Sequence, residues 1–165
     1  MEYAVASWSP WTKTDKEVLE KVQKRAVAMV SNFEAKDYEN KLGEAGMITL
    51  EKRRERGDLI TMYKIMSGKE DVPHSIWFQK MTELADNGVS TRAATGTLNV
   101  QPPGISNTDT RKNFFSQRVV EKWNKLPDSV KQAETINTFK NRLHEYMFPP
   151  GQEGSPLKKC SSTVN

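Results

Sequence analysis

The sequence predicts a mainly α-helical protein: a small helical bundle with a long irregular central connection and at most a short β-ribbon. Two observations lead to this class. Apolar residues recur at three- and four-residue spacing in four stretches of the 165-residue chain, which is the period of one face of a helix. The stretch 69–108 lacks this period and holds three prolines and three glycines, residues that interrupt regular elements.

The first long helix is predicted at about 15–31. Thr14, followed three residues later by Glu17, has the form of a capping box. Lys21 and Lys24 are expected on the solvent side. The face expected in the core consists of Val18, Leu19, Val22, Ala26, Met29 and Val30.

A short helix at 38–44 and a longer one at 50–67 follow, with Asp37 and Thr49 as their N-caps. Gly68 is placed to end the longer helix, because glycine readily adopts the left-handed conformation after a last turn. The inward face of this helix is predicted to hold Leu59, Met62, Tyr63 and Met66, with Arg53, Arg54 and Gly57 opposite.

Within 69–108 two short elements are expected. The segment "IWFQKM" reads as a helical turn that packs Trp77 or Phe78, and "TGTLNV" alternates weakly, as a short strand does. A connection of this length is unusual inside a compact domain. It indicates either a domain boundary or a loop that another molecule orders.

The last two helices follow this connection. The first is predicted at about 110–125, ended by Pro127, and the second is capped by Thr135 and ended by the prolines at 149–150. Their inward residues are predicted to be Phe115, Val119, Trp123 and Leu126 in the first helix, and Phe139, Leu143 and Tyr146 in the second.

These elements predict four regions along the chain. Residues 1–68 form a helical subdomain, 69–108 an irregular linker or loop, 109–148 a C-terminal helical subdomain, and 149–165 a disordered tail of polar residues. The aromatic residues Tyr3, Trp8 and Trp11 near the start either pack on the protein's own core or meet a larger body.

Composition bounds the cellular setting. The net charge is +4, hydrophobic residues make up 36% and charged residues 28%, so a modest core with a mildly basic surface is expected. A single cysteine, Cys160, precludes a disulfide within the chain and fits a reducing compartment. No apolar run reaches the roughly 20 residues that cross a bilayer. A nuclear or cytoplasmic location is expected, without a membrane.

Catalytic patterns are missing from the sequence. Neither His74 nor His144 has another histidine or a cysteine at metal-ligand spacing, so structural roles are expected for both. Cys160 has no base near it in sequence, and no phosphate-binding glycine loop occurs. No pair of aspartates is framed by strand-forming residues, as a two-metal site would need. The chain alone is therefore not expected to be an enzyme, and no cofactor or metal is expected.

Basic residues are the strongest candidates for function. At about 100° per residue, Arg111, Arg118, Lys122 and Lys125 fall on one edge of the predicted helix 110–125. Such a stripe suits backbone phosphates, which require positive charge and no base-specific geometry. The alternative is a solvated helix face. The predicted nucleic-acid-binding set is completed by Lys112, Arg53, Arg54 and Arg56, the last three partly neutralised by Glu51 and Glu55.

Three blocks of this sequence resemble the C-terminal end of non-LTR retrotransposon reverse transcriptases of the jockey and chicken-repeat kind. They are "MEYAVASWSPWTKTDKEVLEKVQKRA", "LEKRRERGDLITMYKIMSG" and "TRKNFFSQRVVEKWNKLPDSVKQAETINTFKNRLHEYM". Their order and spacing agree with that family over about residues 2–147.

This resemblance implies thumb and post-thumb regions without the palm, whose catalytic aspartates typically lie in an x-Ala-Asp-Asp turn that is absent from this sequence. It implies a truncated reading frame, with the aromatic start packed against the missing body. The basic stripe would meet the phosphates of a template–primer duplex, with Trp123 as a core anchor or, alternatively, as a base-stacking platform. The loop 88–108 carries fewer cations than is usual in the family.

Two functions remain at this point. The first is a non-catalytic fragment of an RNA-directed DNA polymerase that binds RNA or an RNA/DNA duplex weakly and without sequence preference. The second is a helical protein-interaction or structural module with no nucleic-acid role. The expected protein partner is the missing polymerase body or a second copy of the chain, because a segment separated from a larger protein exposes apolar surface.

Overall fold

The computed structural model describes residues 4–30, 37–82, 98–102, 104 and 108–149. In that part the chain forms nine helices and one two-stranded antiparallel ribbon, which confirms the predicted mainly α-helical class. The helices are α1 Val5–Trp8, α2 Lys13–Val30, α3 Tyr38–Glu44, α4 Leu50–Met66, α5 His74–Trp77, α6 Asp109–Lys112, α7 Phe115–Lys125, α8 Asp128–Lys131 and α9 Ile136–Met147; the strands are β1 Gln79–Lys80 and β2 Val100–Gln101.

Some sequence predictions lie outside the described residues. They concern Tyr3, Cys160, most of the loop 88–108, and the predicted tail beyond Pro149. Among the described helices, none is both long and apolar enough to cross a membrane.

The protein divides into two compact units. The first combines residues 1–9 with 54–143, and the second combines 10–53 with 144–165. These boundaries differ from the predicted ones near 68 and 109. The reason is that α4 and the last helices share one core in the first unit, where the rings of Tyr63 and Phe139 stack with centroids 4.2 Å apart.

The core of the first unit confirms the apolar faces predicted for three helices. Burial of these side chains supplies most of the stabilisation, at roughly 1.5–3 kcal/mol for each large apolar side chain. Tyr146, which was predicted to point inward, is instead about half exposed. The most deeply buried residues are Met62 of α4, Phe78 after α5, Val100 of β2, Val119 of α7, and Phe139 and Leu143 of α9.

The second unit is built around the side of α2 that carries Gln23 and Val27, both of them buried. The Nε2 group of Gln23 donates a hydrogen bond to the carbonyl oxygen of Ile48 at 2.9 Å. Glu20 accepts hydrogen bonds from the Tyr38 hydroxyl at 2.5 Å and from the Leu50 amide at 3.1 Å. These polar contacts decide which side of α2 faces the unit's interior.

The predicted orientation of α2 was therefore wrong. Val18, Val22 and Met29 are exposed and do not form the core of the unit. Periodicity alone identified an apolar side of the helix, but not the polar contacts of Glu20 and Gln23 on the opposite side, which the fold uses.

Helix ends follow the predicted chemistry at Thr49, Gly68 and Thr135, and depart from it at Thr14 and Asp37. The hydroxyls of Thr49 and Thr135 accept hydrogen bonds from the amides of Lys52 and Thr138, as expected of N-caps. At the start of α2 the capping residue is Thr12 instead of Thr14, and its partner is the Asp15 amide, 3.2 Å away. The capping pair consequently lies two residues earlier than predicted.

Gly68 ends α4 as predicted. Its φ of 65° is left-handed. This conformation lets the Lys69 amide donate a hydrogen bond to the Lys64 carbonyl at 2.9 Å, while the Gly68 amide donates to the Ile65 carbonyl. This pair of bonds is a Schellman motif. Asp37 precedes α3 as predicted but makes no side-chain capping bond.

The short ribbon pairs Gln79 with Gln101 and Lys80 with Val100. On its other side the Asn124 side chain of α7 replaces a third strand. Its Oδ1 accepts the Val100 amide at 3.1 Å, and its Nδ2 donates to the Val100 carbonyl at 3.0 Å. The ribbon is thereby attached to α7, within the first unit.

Candidate nucleic-acid interface

The predicted helix 110–125 is interrupted in the structure. The side chain of Asn113 donates a hydrogen bond to the Asp109 carbonyl at 2.7 Å where α6 ends. Phe114 is extended, with ψ at 151°, and α7 begins after it. Its ring stacks with that of Trp77 at 6.3 Å. Arg111 therefore does not lie on the same helix as the other three residues of the predicted stripe.

The apolar side of α7 holds the helix in the first unit. Phe115, Val119, Trp123 and Leu126 are all buried, as the sequence predicted. The indole Nε1 of Trp123 donates to the Leu98 carbonyl at 3.0 Å. Because it is buried and hydrogen-bonded, Trp123 is a core anchor, and its indole ring is not available as a platform for a base.

Arg118 is a structural residue in this fold. Its Nε and Nη2 bond to the two carboxylate oxygens of Asp58 at 2.9 and 3.0 Å, and its side chain is only 20% exposed. The same guanidinium donates to the backbone carbonyls of Asn113, Val5 and Ala6. With these acceptors in place, Arg118 has little capacity left for a phosphate.

The remaining cations of this segment are exposed, but most are paired with carboxylates. Lys112 lies 3.4 Å from Asp109, Lys122 lies 3.2 Å from Glu55, and Lys125 lies 2.6 Å from Glu121. The hydrogen bond from Lys125 holds the pKa of the Glu121 carboxyl below its usual value.

Arg111 differs from these lysines. It is exposed, and no carboxylate within the part of the chain that the structure describes forms an ion pair with it. Of the predicted stripe, Arg111 is therefore the exposed cation that lacks a carboxylate partner among the described residues.

The arginines at 53–56 are less accessible than predicted. Arg54 is buried, and burial lowers the pKa of Arg56. The Nη2 of Arg54 and the Nε of Arg56 have no hydrogen-bond partner among the described residues. Arg53, in the second unit, is half-buried, and its positive charge opposes the rise in the pKa of Tyr38 that burial and Glu20 cause.

A pocket of about 240 Å³ lies in the first unit. It brings together two lysines, Lys80 and Lys131, with the aromatic side chains of Tyr63 and Trp123. Neither lysine is conspicuous in the sequence, because each is an isolated cation in a weakly periodic stretch. No pattern in the sequence indicates that they share a pocket.

Lys131 is the unusual member of this pocket. Its side chain is 2% exposed, and its Nζ donates to the Asn99 Oδ1 at 3.0 Å. Burial lowers its pKa, and the carboxylate of Asp128, 3.8 Å away, opposes that shift. The pocket can thus offer a partly desolvated amine beside aromatic surface to a small anionic group.

The structure shows no metal-binding constellation among the described residues. No group of three or more histidine, cysteine, aspartate or glutamate side chains converges there. The ring of His144 lies 5.1 Å from that of Phe148 in the second unit, and His74 begins the short helix α5.

The arrangement offers charge without geometric specificity. Exposed cations at 111, 112, 122 and 125 can attract phosphates over a Debye length of about 10 Å, but their carboxylate partners reduce the field.

No known protein family, characterised protein or solved structure matches this chain.

Proposed function

We propose that this chain is a non-catalytic helical region of a non-LTR retrotransposon reverse transcriptase. Its own capacity is weak, sequence-independent binding to the backbone of RNA or an RNA/DNA duplex. The three sequence blocks support the origin. The observation that carries the binding activity is the exposure of four cations, Arg111, Lys112, Lys122 and Lys125. A nuclear or cytoplasmic location belongs to the same proposal.

The ion pairs of these cations determine the strength of binding. A phosphate that approaches Lys122 or Lys125 must compete with Glu55 or Glu121. Exposed ion pairs of this kind contribute little to stability, so they can open, but the nearby carboxylates still repel a polyanion. Weak binding that falls with salt is the expected result.

The test is a titration of labelled RNA, DNA duplex and RNA/DNA duplex at several salt concentrations. Four full phosphate contacts would give a slope of log K against log salt of about −3.6 on duplex DNA. We expect a shallower slope, because three of the four cations are paired. The variant Arg111→Ala should weaken binding to all three ligands, whereas Lys13→Ala, at an exposed position in the second unit, should not.

Two outcomes contradict the proposal. Absence of binding at low salt removes the nucleic-acid activity. Incorporation of nucleotides in a primer-extension assay with Mg²⁺ or Mn²⁺ contradicts the non-catalytic assignment. A catalytically inactive, salt-sensitive binder satisfies both parts of the proposal.

A helical protein-interaction module is the second candidate. The observation that favours it is the solvent exposure of apolar residues along α2, where Val18, Val22 and Met29 face away from the interior of their own unit. Contiguous exposed apolar surface commonly marks a binding site for another protein. Protein association without nucleic-acid binding would select this candidate.

A further inference from the structure

The exposed side of α2, together with the tryptophan that precedes the helix, carries a regular stripe of side chains. This seam consists of Trp11, Asp15, Val18, Val22, Arg25 and Met29. Their spacings are four, three, four, three and four residues. From Asp15 to Met29 this is the alternation of the a and d positions of a heptad, which brings side chains to one line on a helix. Trp11 continues the spacing two residues before the helix begins at Lys13. The apolar members are exposed by 51% at Trp11, 54% at Val18, 48% at Val22 and 85% at Met29.

The side of α2 opposite the seam is the one that packs within the second unit. Glu20, Gln23 and Val27 lie there, bonded or buried. Lys16, on the same side, reaches Glu51 of α4 at 2.7 Å. The orientation of α2 is therefore fixed by contacts that leave the seam outward.

The seam is symmetric in chemical character about residue 20. If a second α2 lies antiparallel with its residue 20 against the first, Val18 faces Val22, and Trp11 faces Met29. The same register places Asp15 opposite Arg25. Each a position then meets a d position of the other helix, as antiparallel packing requires, and the two polar members of the seam have opposite charges.

We propose that this protein self-associates through the seam, as a two-fold antiparallel pair of α2 helices from two copies. A two-fold interface is self-complementary: each surface residue i that meets j is matched by j meeting i. The pairing gives six layers: two of Trp11 with Met29, two of Val18 with Val22, and two of Asp15 with Arg25. The charged layers fix the register, because a shift of one heptad would separate the charges.

The residues beside the seam are compatible with this arrangement. Near the two-fold axis Leu19, which is half-buried in one copy, approaches Leu19 of the other on one side. On the other side the two Lys21 side chains approach each other, and both are exposed and can extend into solvent. The alanines at 26 and 28 flank the outer layers and leave space for Trp11.

A parallel pair does not fit the same seam. In parallel register Asp15 would face Asp15 and Arg25 would face Arg25, and like charges in direct opposition are unfavourable. The helical part of the seam, from Asp15 to Met29, is about 21 Å long at 1.5 Å per residue, which is short. We expect a small interface of the kind that forms transient dimers.

The proposal supplies a partner for the interaction surface of the second candidate function, and it does not require nucleic-acid binding. A monomer that still binds RNA would contradict the dimer alone. A dimer that fails to bind RNA would contradict the nucleic-acid proposal alone.

The test uses the full chain in sedimentation equilibrium, from roughly micromolar to millimolar concentration. The wild type should shift from monomer to dimer across this range. Arg25→Glu should weaken association by at least tenfold, because it places a second carboxylate opposite Asp15 of the other copy. The matched control is Lys13→Glu, which replaces a cation by the same carboxylate on the same helix but on the opposite side, and it should leave association unchanged.

Charge exchange distinguishes this geometry from general stickiness. The variant Asp15→Arg should also associate weakly with itself. An equimolar mixture of Asp15→Arg and Arg25→Glu should form a heterodimer more tightly than either variant pairs with itself, because both charged layers of the mixed pair hold opposite charges. Circular dichroism must first show that both variants retain the wild-type helix content.

Three results would overturn the proposal. They are a wild-type monomer at every concentration, equal effects of Arg25→Glu and Lys13→Glu, and no preferential pairing in the mixture. Since Asp15 also contacts Thr12, its replacement can unfold the helix. In that case the comparison of Arg25→Glu with Lys13→Glu decides, supported by Val22→Asp, which should abolish dimerisation by placing a carboxylate against Val18.

Discussion

The guanidinium of Arg118 and the carboxylate of Asp58 form a bidentate ion pair that joins α7 to α4 in the first unit. Its two hydrogen bonds measure 2.9 and 3.0 Å, and the side chains are 20% and 10% exposed. Paired in this way, a residue predicted to hold phosphate instead holds two helices together. The carboxylate of Asp58 offsets part of the free-energy cost of removing the Arg118 guanidinium from water.

Removal of one partner should destabilise the protein strongly. Asp58→Ala leaves the Arg118 charge largely desolvated, and we expect unfolding to become easier by about 2–4 kcal/mol in chemical denaturation. The double variant Asp58→Leu with Arg118→Met should cost less than the sum of the single changes, because it leaves no unpaired charge. The control is Glu121→Gln, at an exposed pair, which should change stability little. Strict additivity would contradict a direct coupling.

Phe139 should be among the most costly positions to truncate. It is fully buried, stacks on Tyr63 and lies 6.1 Å from the Trp123 ring. We expect Phe139→Ala to lower the free energy of unfolding by about 3–5 kcal/mol, because it leaves a cavity. Tyr146→Ala, on the exposed side of the same helix, should have a much smaller effect in the same denaturation experiment.

The N-cap of α2 offers a test between two neighbouring threonines. Thr12→Ala should cost about 1 kcal/mol, because it removes the acceptor for the Asp15 amide. Thr14→Ala should cost less, since Thr14 lies inside the helix and alanine is the better helix former. Thermal unfolding of both variants is the measurement. A larger loss for Thr14→Ala would support the capping pair that the sequence suggested.

Lys131 should make stability depend on pH. Burial lowers its pKa in the folded state, so in the interval between that value and the ordinary value near 10.4 the unfolded chain binds more protons than the folded one. Stability contributed by this group therefore rises as pH increases through that interval. The rise should be absent in Lys131→Met, which removes the charge and keeps an apolar stem of similar length.

Tyrosine ionisation limits the range in which this can be observed. Burial raises the pKa of Tyr63, and burial together with Glu20 raises that of Tyr38. The stability that each tyrosine contributes therefore falls as pH rises above about 10. Thermal melts of wild type and Lys131→Met should accordingly be compared from pH 7 to about 9.5. Parallel curves over this range would contradict the assignment.

Local sequence rules predicted much of the fold. The faces of α4, α7 and α9 were identified by period, and the ends at Thr49, Gly68 and Thr135 by cap chemistry. These features depend on residues within one or two turns of each other. The ribbon was predicted only in part. The strand expected in "TGTLNV" begins at Val100 and continues to Gln101, and its partner β1, Gln79–Lys80, lies in "IWFQKM", which was predicted as a helical turn.

The candidate interface was less predictable because its decisive partners are distant in sequence. Arg118 meets Asp58 across 60 residues, and Lys131 shares a pocket with Tyr63 and Lys80. From the sequence alone, every cation is expected at the surface, because partners that are distant in sequence cannot be identified. The predicted orientation of α2 was wrong for the same reason. The contacts of Glu20 and Gln23 with residues 38–50 turn that side of the helix inward, in place of the apolar side.

The amide of Asn124, which occupies both backbone polar groups of Val100, has a consequence for solubility. An open strand edge is a template on which another chain can add and start ordered aggregation. Here the Asn124 side chain accepts a hydrogen bond from the Val100 amide and donates one to the Val100 carbonyl. At Val100 this edge of the ribbon therefore has no open pair of polar groups to which a third strand could bond. Replacement of this one amide by an aliphatic side chain would leave the amide and the carbonyl of the buried Val100 without these partners, which would destabilise the attachment of the ribbon to α7.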